Sequence, residues 1–289
     1  MINPQDVDFK SPDRGIDASE LRLMASHVRE DILVALAEAK SGHTGGSLSC
    51  ADILVSLYFA KMVHDPKNPG WEGRDRLLLS KGHAAPALYA VLANCGYFPK
   101  DELKTLRKIN SRLQGHPDPR KLPGVEIPGG PEGIGLSEAI GMALAARLDH
   151  NEKKIYVIMG DGELNEGEVW EAAMAAAKFK LSNIIVIVDL NGLQQEGKTA
   201  DIMPTEPLTT KFYAFNWNVQ RINGHEIPDI LDAINIACQS KEAPNIIFAK
   251  TTKGKGVDFM EENIKFHGAP PTPEQLREAL QRLQHSRGV

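Results

Sequence analysis

Two short segments bring together residue types that handle a phosphate and a divalent cation. Gly160-Asp161-Gly162 follows the apolar run KIYVIM, and Asn191 stands thirty positions after Asp161, closing a second apolar run, NIIVIVDL. Glycine just past a strand lets the backbone approach a ligand closely. A helix starting beyond it offers free N–H groups and a positive dipole end to a phosphate. Asp161 would repel that phosphate unless a cation lay between them. Mg²⁺ resolves the conflict, because it takes hard oxygen ligands from one or two side chains together with phosphate oxygens. A lone GDG is equally well a plain strand-end turn, so the second segment carries the weight. If the two runs are neighbouring parallel strands, their carboxyl ends lie side by side, and Asp161 and Asn191 grip one ion.

Four of the nine histidines also sit in glycine-containing segments: His43 in SGHTGG, His83 in SKGHAA, His116 in LQGHPD and His267 in FHGAPP. Imidazole exchanges its proton near neutral pH, which suits hydroxyl binding and proton transfer. None of the four is expected to bind metal, since their spacing is irregular and no Cys is nearby. His27, His64, His150, His225 and His285 lack this context and read as structural. Lys253 and Lys255, in KGKG, face either phosphate or solvent, with solvent the favoured reading for each.

The elements that must position these groups follow from periodicity. Residues 19–40 have apolar residues at helical spacing behind Ser19 as N-cap. A Gly-rich break follows at 41–49, then a helix from 51 to 62. RLLLS at 76–80 reads as a buried strand and 83–96 as a helix ending at Gly96. Residues 111–135 form a long loop rich in Gly and Pro, and loops of that length inside a domain are usually functional. A helix with Ser137 as N-cap precedes the 154–162 strand. The helix of 166–181 and the 183–192 strand complete a βαβ unit. WNVQRI, PDILDAINIACQ and NIIFAKT add strand, helix and strand, and TPEQLREALQRLQ a terminal helix. The pattern predicts an α/β fold with an open, mostly parallel sheet and helices on both faces. It fits one domain over 1–289, with 1–18 an arm and 285–289 a frayed tail. Ligands of such sheets sit at the strands' carboxyl ends.

Bulk properties narrow the classes. The chain has 289 residues, 42% hydrophobic and 25% charged, as an ordinary globular protein does. A net charge of -5 and a pI near 6.0 exclude a nucleic-acid or anionic-membrane binder. No apolar run reaches the roughly 18–20 residues that span a bilayer. The first residues lack a basic start and an apolar core, so no signal peptide is read. Three cysteines, Cys50, Cys95 and Cys238, are an odd number without metal spacing. They read as small core residues in a reduced cytoplasm.

GDG followed at this distance by Asn resembles the signature of thiamine-diphosphate enzymes. Most members carry two Asn in a row where this chain has Leu190-Asn191, and the second is the ligand position. Beyond that motif, SGHTGG, RDRLLLSKGHAAPALYA, LQGHPDP, GDGELNEGEVWEA, VDLNGLQQEG, KTTKGKG and FHGAPP fall in the order found in transketolases. The resemblance runs from about residue 20 to 270 and is strongest to the N-terminal subunits of two-chain transketolases.

It implies the thiamine diphosphate-binding fold, here its diphosphate-binding domain, with thiamine diphosphate and Mg²⁺ (or Ca²⁺ or Mn²⁺ in its place) as cofactors. Asp161, Asn191 and the Leu193 carbonyl would hold the metal. His83, His267, Gly130, Gly160 and the Gly162 backbone would contact the cofactor, and His43 and His116 the substrate. Glu166 matches the carboxylate that links paired active sites, and reads equally as an acidic residue at a helix start. One departure stands out. Where transketolases carry Gly-Ser/Pro-Leu-Gly-Gln-Gly, this chain has Gly130-Pro131-Glu132-Gly133-Ile134-Gly135, placing Glu132 at the leucine that packs under the thiamine ring. A carboxylate against an apolar ring is costly unless paired.

The implied activity is transfer of a two-carbon ketol unit from a ketose (phosphate) to an aldose (phosphate), in pentose-phosphate metabolism or a specialised pathway. The implied partner is a C-terminal transketolase subunit, the pyrimidine-binding half, in a heterotetramer of two plus two chains. Two other readings compete: another thiamine-dependent half, deoxyxylulose-phosphate synthase-like or E1-like, and a non-catalytic subunit. The four histidines and LQGHPDP favour transketolase over the first, and intact Asp161, Asn191, His83 and His267 oppose the second.

Overall fold

Long runs of apolar, mostly β-branched residues are strands that want cover on both faces, and the chain builds its sheet around them. The computed structural model describes residues 2–287. Behind an N-terminal arm come α1 (Ala18–Ala39), α2 (Thr44–Ser49) and α3 (Ala51–Val55), which runs on as a π-helix over Ser56–Lys61. Next are β1 (Arg76–Leu79), α4 (Ala85–Cys95), α5 (Ile134–Leu148), β2 (Ile155–Gly160), α6 (Gly167–Lys178) and β3 (Ile184–Leu190). The chain finishes with α7 (Thr199–Ile202), α8 (Leu208–Ala214), β4 (Asn218–Asn223), α9 (Ile227–Cys238), β5 (Asn245–Lys250) and α10 (Pro273–Ser286).

The five strands lie in the order β1-β2-β3-β5-β4, and every pairing is parallel. Alternation along the pleat splits the core in two. Tyr156, Ile158, Ile185, Ile187 and Ile247 face a layer that includes α1, α4 and α9. Ile155, Val157, Val186, Val188 and Phe248 face a layer that includes α5, α6 and α8. The crossover from β2 to β3 moves one way along the sheet and that from β4 to β5 moves back. Right-handed connections therefore place α6 and α9 on opposite faces.

Local signals explain most boundaries. Gly96 adopts φ 91° and closes α4, while Thr272 and Gln275 form a reciprocal capping box at the start of α10. Four expectations need correction. The cap of α1 is Asp17, not Ser19: its carboxylate accepts the Ser19 and Glu20 N–H groups. Ser137 lies inside α5, which starts at Ile134 behind Gly133, so the preceding loop is shorter than expected. Residues 44–49 are a buried helical turn rather than a break. The tail expected at 285–289 is helical through Ser286, and 288–289 lie outside the described residues. Cys50 and Cys95 are buried, Cys238 partly so. No helix among the described residues is long and apolar enough to cross a membrane.

Candidate functional site

The carboxyl ends of the strands deliver the expected groups to one place. In the register of β2 and β3, Gly160 pairs with Asp189, so Asp161 and Asn191 leave adjacent strand tips side by side. A cleft of about 510 Å³ opens there. It is lined by His43, His83, His116, Gly130, Gly160, Asp161, Gly162, Glu166, Asn191, Leu193 and His267, which are all the candidate residues from the sequence, and by others it did not suggest.

Asp161 is buried, 2% exposed. Its carboxylate accepts the Gly162 N–H at 2.9 Å and the Gly192 N–H at 2.5 Å, with the Thr199 hydroxyl at 3.4 Å. Burial, then the charge of Asp189, push its pKa up to about 6. Asn191 Oδ1 accepts the Leu193 N–H at 3.1 Å. Asp161 Oδ1 and Asn191 Oδ1 each accept one donor and keep a lone pair for a cation, and a buried carboxylate held high is what a divalent ion would relieve. Among the described residues no group of three or more His, Cys, Asp or Glu forms a metal cluster. Asp161 and Asn191 instead line the cleft with side-chain oxygens, the donor type that Mg²⁺ takes alongside phosphate and water.

Three imidazoles close one side. The ring centroids of His43, His83 and His267 stand 5.3–5.5 Å apart. A side chain at Gly46 would come within 3.1 Å of His83 Nε2, so glycine there permits the approach. Burial, then His83, lower the pKa of His43 to about 4; burial, then Lys253, lower that of His267 to about 3. Both rings are neutral at pH 7. His43 Nδ1 is buried without a hydrogen-bond partner, as is Gln194 Nε2 on the cleft wall. Buried polar atoms without a partner are costly, and both of these residues line the cleft. His116 and Glu166 lie toward solvent on the rim. Glu166 occupies the N-cap of α6 but makes no side-chain cap bond.

Two lysines change the picture. Lys253, for which solvent was the favoured reading, is buried at 3% exposure. Its ammonium donates to the Leu193 carbonyl at 3.0 Å and meets His267 Nδ1 at 2.8 Å, while Lys255 pairs with Glu261 at 3.5 Å. Lys81 was not anticipated. It is wholly buried, donates to the Gly46 carbonyl at 2.9 Å and forms an ion pair with Asp189. Burial is the largest influence and opposes its charge, but Asp189, Cys50 and Asp161 together outweigh it, so its pKa stays above the usual lysine range. Ser49, at 2.6 Å, and Thr251 also donate to Asp189. The only sequence hint was a lone acid inside the apolar run IIVIVDL. Glu163 was missed as well: it accepts from Ser80 and from the Gly133 and Gly160 N–H groups, tying three site loops together.

A doubly covered parallel sheet with a polar cleft at its carboxyl edge defines the class of open α/β proteins that bind ligands at strand ends. Comparison with known proteins narrows this. Residues 21–286 match the family described as transketolase, thiamine diphosphate binding domain. The 6-deoxy-6-sulfo-D-fructose transketolase subunit of a Clostridium species is 43% identical over 92% of this chain and 96% of its own length. The apulose-4-phosphate transketolase subunit of Actinobacillus succinogenes is 42% identical over 91% and 96%. Human transketolase is 36% identical over 91% of this chain, which spans 42% of that protein. The crystal structure of Campylobacter jejuni transketolase superposes with a TM-score of 0.87 at 36% identity, covering 95% of this chain and 43% of that one. The chain belongs to the transketolase family.

Proposed function

We propose that this chain is the diphosphate-binding subunit of a thiamine diphosphate- and Mg²⁺-dependent transketolase. It moves a two-carbon ketol unit from a ketose or its phosphate to an aldose or its phosphate, together with a pyrimidine-binding subunit. The observation that carries the reading is the buried Asp161 carboxylate, held only by N–H and hydroxyl donors beside Asn191 at the mouth of a histidine-lined cleft.

In this reading residues 1–289 act as one diphosphate-binding unit. Asp161, Asn191 Oδ1 and the Leu193 carbonyl hold the metal, Mg²⁺ or else Ca²⁺ or Mn²⁺. The carbonyl has a second lone pair, so it accepts both the cation and the Lys253 ammonium. His83, His267, the Gly162 N–H and the backbone at Gly130 and Gly160 surround the phosphates, at the start of the 3₁₀ turn Gly162–Asn165. Thiamine diphosphate, when bound, supplies the nucleophilic carbon that takes up the ketol unit. His43 and His116 hold a substrate hydroxyl, and the neutral His43 ring takes and returns its proton at the free Nδ1. Glu166, on the rim, reaches toward the paired site.

Asp161→Ala should abolish Mg²⁺-dependent retention of thiamine diphosphate, measured by calorimetry on the assembled complex. Unchanged metal-dependent affinity would refute the assignment.

A further inference from the structure

Glu132 stands where the transketolase pattern carries leucine, and the structure shows what it meets. Its carboxylate meets His83 Nδ1 at 3.0 Å, with the Glu132 side chain 40% exposed. The His83 hydrogen bond, set against partial burial, holds the Glu132 pKa below the usual range, so the group is ionised. An ionised carboxylate only accepts, so the Nδ1 that faces it at 3.0 Å is the ring nitrogen that carries the proton. Burial lowers the His83 pKa, keeping the ring neutral. A neutral imidazole has one N–H. With that proton given to Glu132, Nε2 has only a lone pair to offer, and a phosphate oxygen needs a donor.

The surroundings are those of an anion cradle. Lys81, Lys253 and His267 all act electrostatically on Glu132. The loop that carries it is held on either side of an exposed pair. Gly129 N–H donates to the Pro117 carbonyl at 2.8 Å, and Gly133 N–H donates to Glu163 at 2.9 Å. Between these anchors Pro131 and Glu132 are exposed. Gly130 at φ 134° and Gly133 at φ 89° flank the pair as hinges, and the space beside Gly130 is open.

We propose that Glu132 is a built-in competitor for the diphosphate cradle, taking the His83 Nδ1–H that a phosphate oxygen would take, and that its loop swings out on the two glycines when a diphosphate ester binds. This rests on reading the cleft as a diphosphate site. The carboxylate therefore sets cofactor affinity, occupying His83 and weakening binding.

The test titrates inorganic pyrophosphate with excess Mg²⁺ into the full chain as wild type, Glu132→Gln and Glu132→Leu. A charge-assisted hydrogen bond, discounted for partial exposure, predicts about tenfold tighter binding for Glu132→Leu. Glu132→Gln, nearly isosteric and safe for folding, should shift in the same direction. Thiamine without phosphates, titrated into the assembled complex, should bind all three alike. Equal pyrophosphate affinities would overturn the competitor role and leave the cleft a diphosphate site. A gain shared equally by thiamine would also overturn it, since the carboxylate would then act on the ring. Failure of all three proteins to bind Mg²⁺-pyrophosphate would take down the diphosphate reading and this proposal together.

Discussion

At the scale of single residues, the site depends on charges removed from water. Lys81 and Asp189 are each essentially unexposed and hold each other inside the sheet edge. Removing one partner of such a pair strands the other, which typically costs about 3–5 kcal/mol. Lys81→Met should therefore lower stability by that order in urea unfolding. Asp189→Asn keeps acceptors and donors for Ser49 and Thr251 while removing the charge. In the double variant the two losses should fall short of their sum by roughly 1–3 kcal/mol. Strict additivity would show that the charges do not stabilise each other. This pair was invisible in the sequence because its members lie 108 positions apart, and within their segments the neighbouring His83 and Asn191 drew the chemical reading. Lys253 was misread for a related reason. In KGKG two lysines look alike, and only the fold turns one of them inward to Leu193 and His267. Asp161, Asn191 and the histidines were legible because glycines beside them marked backbone that bends toward a ligand.

At the scale of elements, β1, β2, β3 and β5 were readable to within about two residues, since a strand buried on both faces is largely apolar; β4, exposed or half-buried at the sheet edge, was read from its place before a helix and strand. Helix starts were less so. Ser19 and Ser137 are good caps by type, but the caps used are Asp17 and Gly133, because the chain's path into each helix decides which side chain meets the free N–H groups. The turn at 44–49 is helical despite its glycines because it is buried beneath the His83 and Lys253 segments, and tertiary packing overrides propensity there. The N-terminal arm shows how one residue ties elements together. His64 is fully buried. Its Nε2 donates to the Tyr58 carbonyl at 2.8 Å, its Nδ1 takes the Tyr97 hydroxyl at 3.0 Å, and its backbone N–H holds the Phe9 carbonyl at 2.9 Å. Burial, only partly offset by the Tyr58 bond, lowers its pKa from 6.5 to about 3. The unfolded chain therefore takes up this proton below pH 6.5 while the folded chain refuses it until about pH 3. The stability that depends on neutral His64 is complete above that window and lost as pH falls through it. One such proton contributes about 1.4 kcal/mol per pH unit. Between pH 6 and 4 the unfolding free energy of His64→Gln should fall less steeply than that of the wild type by up to that slope. Parallel slopes would mean that another group carries the acid sensitivity.

At the scale of the whole molecule, the two cores are complete but the chemistry is open to water. Each sheet face is covered by its own helical layer, whereas His116, Glu132 and Glu166 stand exposed around the cleft. In the function proposed above, transfer of a reactive two-carbon unit requires water to be kept away from the reacting carbon, and on that reading a surface from elsewhere closes this cleft. The relatives point to its source. The chain matches relatives named as transketolase subunits over almost their full length, and covers 42% of the human enzyme. The missing cover is, in our reading, a pyrimidine-binding subunit, two copies of each chain meeting in a heterotetramer. The isolated chain should then melt cooperatively, since its own cores suffice for folding, yet show only background ketol transfer. Titrating the cognate second subunit should raise activity linearly to a plateau at one partner per chain, with light scattering reporting a two-plus-two mass at that point. Retention of thiamine diphosphate should rise over the same range, because the cleft closes as the subunits meet. Full turnover by the isolated chain, or activity that ignores the partner, would show that this chain closes its own site and that the exposed rim is not an interface.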